Sequence, residues 1–190
     1  MRNMTFILLA ATTASLAACG DTSPAPQNNA AAPGNDMAAM APAPAGIAIA
    51  SLQTADGQPA GTARVTQQEG ALHISLETQN LPAGEHGVHI HMTGKCDAPA
   101  FTTAGGHWNP TDAHHGLENP EGQHAGDMPN LTVGADGKGM LEYTLKGGTI
   151  AGLFDDDGAA FVVHADKDDQ KTDPSGNSGD RIACGVFRTG

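Results

Sequence analysis

Basic residues are scarce in this chain, and so are aromatic residues, cysteines and long apolar runs. Nine Lys and Arg stand against 21 Asp and Glu, giving a formal net charge of -12. Binding a phosphate backbone needs clustered Lys and Arg, so nucleic acid is excluded as a partner. Aromatic residues make up 4% of the chain, whereas Gly and Pro number 25 and 12. Gly and Pro punctuate turns and loops, which points to a loop-rich, mostly β protein. The apolar stretch Phe6 to Ala11 is far shorter than the roughly 20 residues of a membrane-spanning helix. The three Cys include no CxxC pair of the kind that zinc-binding cysteines usually form. At 190 residues the chain has room for one domain plus appendages.

Arg2, the short apolar stretch and the small residues after it read as an export signal over residues 1–18. The run Leu16-Ala17-Ala18-Cys19-Gly20 resembles a bacterial lipoprotein cleavage box. Cys19 would then carry lipid and supply the membrane contact. With Cys19 so used, Cys96 and Cys184 remain as a pair. An oxidising compartment would let them join, for about 4 to 5 kcal/mol on the chain-entropy account. The expected location is the periplasm, as a membrane-anchored lipoprotein, with a soluble periplasmic protein as the alternative. Residues 19–45 are Ala, Pro, Asn and Gly with almost no large apolar side chain, too little to offset ordering entropy. They read as a disordered tether with a reach on the order of 30 Å.

The folded domain is expected over residues 46–190. Apolar residues alternate with period two at Ile47 and Ile49, at Leu72, Ile74 and Leu76, and at Leu141, Tyr143 and Leu145. Further strands are predicted over Thr62 to Gln67, Val88 to Met92, Ala160 to His164 and Ile182 to Phe187. Asp56-Gly57 and Asp136-Gly137 supply turns between such runs. The pattern predicts an all-β sandwich or barrel. Between Thr93 and Asn130 it stops, leaving a segment of about 38 residues, a length that marks a functional or disordered loop.

That loop is rich in histidine. His89 and His91, two residues apart on a predicted strand, fall on one face of it, with Val88 and Ile90 on the other. The loop adds His107, His115, His124 and Asp127, and the strand ending at His164 adds another imidazole. These are more ligands than one tetrahedral site needs, so either two metals bind or some histidines are idle. Imidazole-dominated sites suit copper and zinc, whereas magnesium and calcium prefer oxygen.

The segments His86-Gly87-Val88-His89-Ile90-His91, Gly106-His107-Trp108-Asn109-Pro110, His115-Gly116, His124-Ala125-Gly126-Asp127, Val162-Val163-His164 and Gly179-Asp180-Arg181-Ile182-Ala183-Cys184-Gly185-Val186 resemble the ordered signature blocks of the copper,zinc superoxide dismutases, in particular the bacterial periplasmic branch. The resemblance covers about residues 46–190. It implies a Greek-key antiparallel β-sandwich or flattened barrel of about eight strands with long metal-binding and electrostatic loops. It also implies one copper and one zinc ion per subunit, copper on His89, His91, His107 and His164 and zinc on His107, His115, His124 and Asp127, with His107 shared. Superoxide would be the substrate, with oxygen and hydrogen peroxide the products. Arg181 matches the family's anion-guiding Arg, so Arg181 and His107 would be the catalytic residues. Asp168 matches a supporting Asp between the two sites, and Cys96 with Cys184 matches the family's disulfide.

The remaining candidates have plainer readings. His86 is expected to be structural and His73 an outward-facing strand residue, while His115 is favoured over its neighbour His114 as a ligand by the spacing to His124. Lys167 and Lys171 lie near the expected electrostatic loop, where they would assist Arg181. A metal carrier that keeps the fold without turnover is the competing class; loss of a copper histidine or of Arg181 would be its signature. The oligomeric state, monomer or homodimer, is not legible in the sequence.

Overall fold

A computed structural model describes residues 46–190. The expected export signal, Cys19 and the tether lie outside the described residues. Nine strands form: β1 Ile47–Thr54, β2 Pro59–Gln68, β3 Ala71–Thr78, β4 Gly84–His86, β5 Val88–His91, β6 Leu131–Val133, β7 Gly139–Leu145, β8 Ala160–His164 and β9 Arg181–Thr189. They make one antiparallel sheet in the order β4-β6-β7-β3-β2-β1-β9-β8-β5. β4 and β5 stand at opposite edges of this order, yet only Gly87 separates them in the chain, so the sheet curls until its edges meet. The Gly87 carbonyl accepts from the His164 N–H at 2.8 Å, and the Gly87 N–H donates to the Asp166 carbonyl at 2.8 Å, which closes the seam. The step from β3 to β4 passes over β7 and β6, and β9 returns beside β1, connections of the Greek-key kind.

The fold is thus a nearly closed, barrel-like sheet of nine strands rather than about eight. β4 and β6, three residues each, are too short for alternation to reveal them. The interior is filled by Val65, Leu72, Ile74, Leu76, Leu145, Phe161 and Val163, among others, with the Phe161 and Phe187 rings edge-on at 6.5 Å. In β1 the buried residues are Ala48, Ala50 and Leu52, not the larger Ile47 and Ile49. Those two are half-buried on the outer face, where the C-terminal Gly190 packs against them.

β8 is buried on both faces. Phe161 and Val163 face the main core, while Ala160 and Val162 join Phe101, Ala104, Cys96 and Cys184 in a second cluster beneath the long loop. The Cys96–Cys184 disulfide, with Cα atoms 5.7 Å apart, ties that loop to β9. The loop otherwise holds a short 3-10 helix, Thr102–Ala104.

Candidate metal centre

β5 alternates as its pairing demands. Val88 and Ile90 join the main core, and His89 and His91 point to the opposite face, where the long loop buries them. The loop returns along the free edge of β5. The Met92 N–H donates to Gly106 at 2.9 Å, the Trp108 N–H to Ile90 at 2.8 Å and the Ile90 N–H to Gly126 at 3.0 Å. This pairing sets His107 beside His91 and Asp127 beside His89. Any side chain at position 126 would collide with the Ile90 carbonyl, so the approach requires Gly126.

Two four-membered groups of buried side chains result, besides a smaller one of His89, His115 and Asp168. His89, His91, His107 and His164 form one, and His107, His115, His124 and Asp127 form the other. Within each group the potential ligand atoms lie within 4.8 Å of one another, and His107 belongs to both. In the first group, His91 Nδ1 donates to the Gly105 carbonyl at 2.9 Å and His164 Nδ1 to the Gly179 carbonyl at 3.2 Å. Each ring therefore keeps its lone pair on Nε2, and the two Nε2 atoms face each other at 3.3 Å. His89 Nδ1 and His107 Nε2 are buried with no hydrogen-bond partner. Four buried lone pairs without donors are costly until a cation sits among them, and an all-imidazole set fits copper.

Burial keeps these rings uncharged. It pushes His89 and His91 well below the ordinary histidine value, assisted by the neighbouring His107, and lowers His107 and His164, the latter to about 4.

In the second group, three imidazole nitrogens converge on Asp127 Oδ1: His107 Nδ1 at 3.0 Å, His115 Nδ1 at 3.1 Å and His124 Nδ1 at 3.3 Å. Asp127 Oδ2 accepts the Gly116 and His124 backbone N–H groups at 2.9 and 3.0 Å. Burial opposes charge on Asp127, but these hydrogen bonds outweigh it and hold its pKa far below the usual carboxylate range. Three imidazoles and one carboxylate are a closed four-ligand set of the kind zinc takes.

Asp168 joins the two groups. Its Oδ2 accepts from His89 Nε2 at 2.6 Å and its Oδ1 from His115 Nε2 at 3.1 Å. Burial disfavours charge on His115, yet its bonds to Asp127 and Asp168 raise its pKa to about 9.

Asp168 is itself held by Asn130, whose Nδ2 donates to the Asp168 carbonyl at 2.9 Å and whose Oδ1 accepts the Asp168 N–H at 2.8 Å. Sequence reading missed Asn130. No spacing rule marks a bond that spans 38 residues and ends on backbone atoms.

Arg181 is half-buried and donates from Nη1 to Phe101 and from Nη2 to Gly105, each at 2.6 Å. It thus shares the Gly105 carbonyl with His91. A cavity of about 440 Å³ opens onto this cluster, lined by His91, Met92, His107, Asp112, His164 and Arg181 among others. Lys167 and Lys171 do not line it; they make exposed ion pairs with Glu85 at 2.9 Å and Glu118 at 2.8 Å. His114 is exposed and paired with Asp173 at 2.6 Å, outside both groups. His86 is occupied by the His164 and Pro82 carbonyls at 2.8 and 2.9 Å, and the half-buried His73 by Thr144.

Fold and site together define an all-β protein with two adjoining clusters of metal-binding side chains that share one imidazole. Residues 59–187 match the family described as copper/zinc superoxide dismutase (SODC). Superoxide dismutase [Cu-Zn] 1 of Aquifex aeolicus is 45% identical over 145 residues, covering 73% of this chain and 86% of its own. Superoxide dismutase [Cu-Zn] of Caulobacter vibrioides is 40% identical over 148 residues, 74% of this chain and 85% of its own. The crystal structure of a double mutant of a superoxide dismutase-like protein from Bacillus subtilis superposes with a TM-score of 0.67 at 42% identity, over 73% of this chain and 95% of that one. The chain belongs to the copper/zinc superoxide dismutase family, whose cofactors are copper and zinc.

Proposed function

We propose that the protein is an exported oxidoreductase that converts superoxide to oxygen and hydrogen peroxide. On this reading His89, His91, His107 and His164 hold copper, His107, His115, His124 and Asp127 hold zinc, and His107 bridges the two. The observation that carries it is the position of His107, with Nδ1 on Asp127 and a buried, unpartnered Nε2 toward three other imidazoles. When bound, copper would supply the one-electron chemistry by which one superoxide gives up an electron and a second gains one, and zinc would supply a fixed charge.

The protein's own groups do the rest. Arg181 presents a positive charge to an anion entering the cavity, its guanidinium oriented by the Phe101 and Gly105 carbonyls. The net charge of -12 does not defeat this, because charges beyond about 8 Å are largely screened at physiological salt. His107, kept neutral by burial, would hold one proton at Nε2 when that atom is free of metal and give it to the peroxide product, whose second proton comes from water in the cavity. Asp168 fixes the orientation of His89 and His115 through their Nε2–H groups.

Residues 1–18 are read as an export signal, Cys19 as a lipid attachment site and residues 19–45 as a tether, which places the domain of residues 46–190 in the periplasm, held at a membrane. The disulfide supports an oxidising compartment. Mass spectrometry of the mature N-terminus tests the anchor: lipid on Cys19 is expected, and an unmodified Cys19 would remove it. The function is tested by loading the protein with copper and zinc and following superoxide consumption against ionic strength. Fast turnover that falls with salt is expected. Bound metals without turnover would replace the enzyme by a metal carrier.

A further inference from the structure

Two large apolar side chains are exposed among the described residues, Met92 at 48% and Met140 at 71%. Met140 lies on β7 and does not line the cavity over the histidines. Met92 directly follows His91 and shares that cavity with His91, His107, His164 and Arg181. Its N–H is pinned to the Gly106 carbonyl at 2.9 Å, and its side chain lies over two glycines. A Cβ at Gly105 would stand 3.0 Å from Met92 Cγ, and one at Gly106 would stand 3.9 Å from Met92 Sδ. The thioether therefore rests on a strip of bare backbone that leads to His107, whose buried Nε2 has no partner.

The cavity poses opposite demands. Arg181 suits it to an anion, but the metal that the four imidazoles would hold is a cation and passes the same guanidinium. A neutral, polarisable thioether binds a soft monovalent copper ion well and a harder divalent ion poorly.

We infer that Met92 is a docking ligand for Cu(I) at the mouth of the cavity, from which the ion passes to His91, His107 and His164. The transfer is ligand exchange, with the Cu–S bond breaking as Cu–N bonds form, and no electron moves. This rests on the copper assignment proposed above.

The test uses the zinc-loaded, copper-free full chain. Cu(I) is supplied from a coloured bicinchoninate complex, and loss of its absorbance is followed by stopped flow for the unaltered protein, Met92→Leu and Met140→Leu; uptake of aqueous Cu(II) is followed by the visible band of the product. Met92→Leu is expected to slow Cu(I) uptake by about tenfold, given the preference of soft metals for thioether, while leaving the final copper content and the Cu(II) rate unchanged. Met140→Leu is expected to behave as the unaltered protein. Equal Cu(I) rates for all three proteins would overturn the inference, as would equal slowing of Cu(I) and Cu(II), since that would make Met92 part of the cavity wall. Failure of the unaltered protein to take up copper at all would overturn the copper assignment, and this inference with it.

Discussion

The two histidine clusters are built from different parts of the chain. The four-imidazole cluster takes His89 and His91 from β5 and His164 from β8, adjacent strands in one ladder, and borrows only His107 from the loop. The cluster around Asp127 takes every member from the loop between β5 and β6. A ladder fixes its side chains whether or not a metal is present. The loop is fixed by Asp127, which gathers three imidazoles and two backbone N–H groups, by the edge of β5 and by the disulfide. The frame thus supports the cluster assigned to redox chemistry, while the loop cluster depends on its own ligands for shape. Metal binding and local folding should therefore be coupled on the loop side more than on the strand side.

His164→Ala should separate the clusters most sharply. Activity of the metal-loaded protein should fall by more than the roughly 10- to 100-fold typical of losing a supporting partner, while zinc uptake persists. Parallel loss of both metals by elemental analysis would show that the clusters do not act separately.

Asp127→Asn removes the charge that organises the loop. It should lower the unfolding free energy of the metal-free protein by roughly 3 kcal/mol or more, since buried charged hydrogen bonds are left incomplete. Amide exchange should speed up in the loop before it does in β5 and β8. Uniform acceleration across the barrel would break the distinction between frame and loop.

Acidity acts in opposite directions on His115 and on the strand histidines. In the metal-free protein the raised pKa of His115, about 9, lies above its unfolded value near 6.5. Its stabilisation is therefore complete below about pH 6.5 and is lost as the pH rises through 9. His89 and His91 are shifted down by burial, so stability on the strand side is present above about pH 6.5 and is lost on acidification, when charge is forced into the cluster. Zinc held at His115 as proposed would displace its Nδ1 proton, so zinc affinity should rise by up to about tenfold per pH unit until about pH 9. Calorimetry in buffers of different ionisation enthalpy should find about one proton released near pH 7.5; none released would contradict the assignment.

The smallest effect is expected from Asn130→Ala, which frees the backbone of Asp168. A loss of zinc affinity of about tenfold is expected, at the lower end for a supporting contact. An unchanged affinity would mean that Asp168 is held without Asn130.

The same division governs what the sequence discloses. His89 and His91 stand out because a strand has period two, and β8 can be read through to His164. Alternation located the long strands, but Ala48, Ala50 and Leu52 could not compete with Ile47 and Ile49 as a core signal, and β4 and β6 offered too few residues. His107, His115, His124 and Asp127 follow no period. Spacing marked them as ligands without dividing them between metals, and the division came from the family resemblance. Asn130 carries no signal, because its role lies in a contact with backbone across the fold.

On the proposed reading one imidazole, His107, stands between two different metals. Crystals of the oxidised, copper- and zinc-loaded protein, measured by anomalous diffraction at both absorption edges, test it directly. Copper is expected at His107 Nε2 with His89, His91 and His164, and zinc at His107 Nδ1 with His115, His124 and Asp127. A single metal site, or a His107 bound to neither ion, would rule out the shared imidazole.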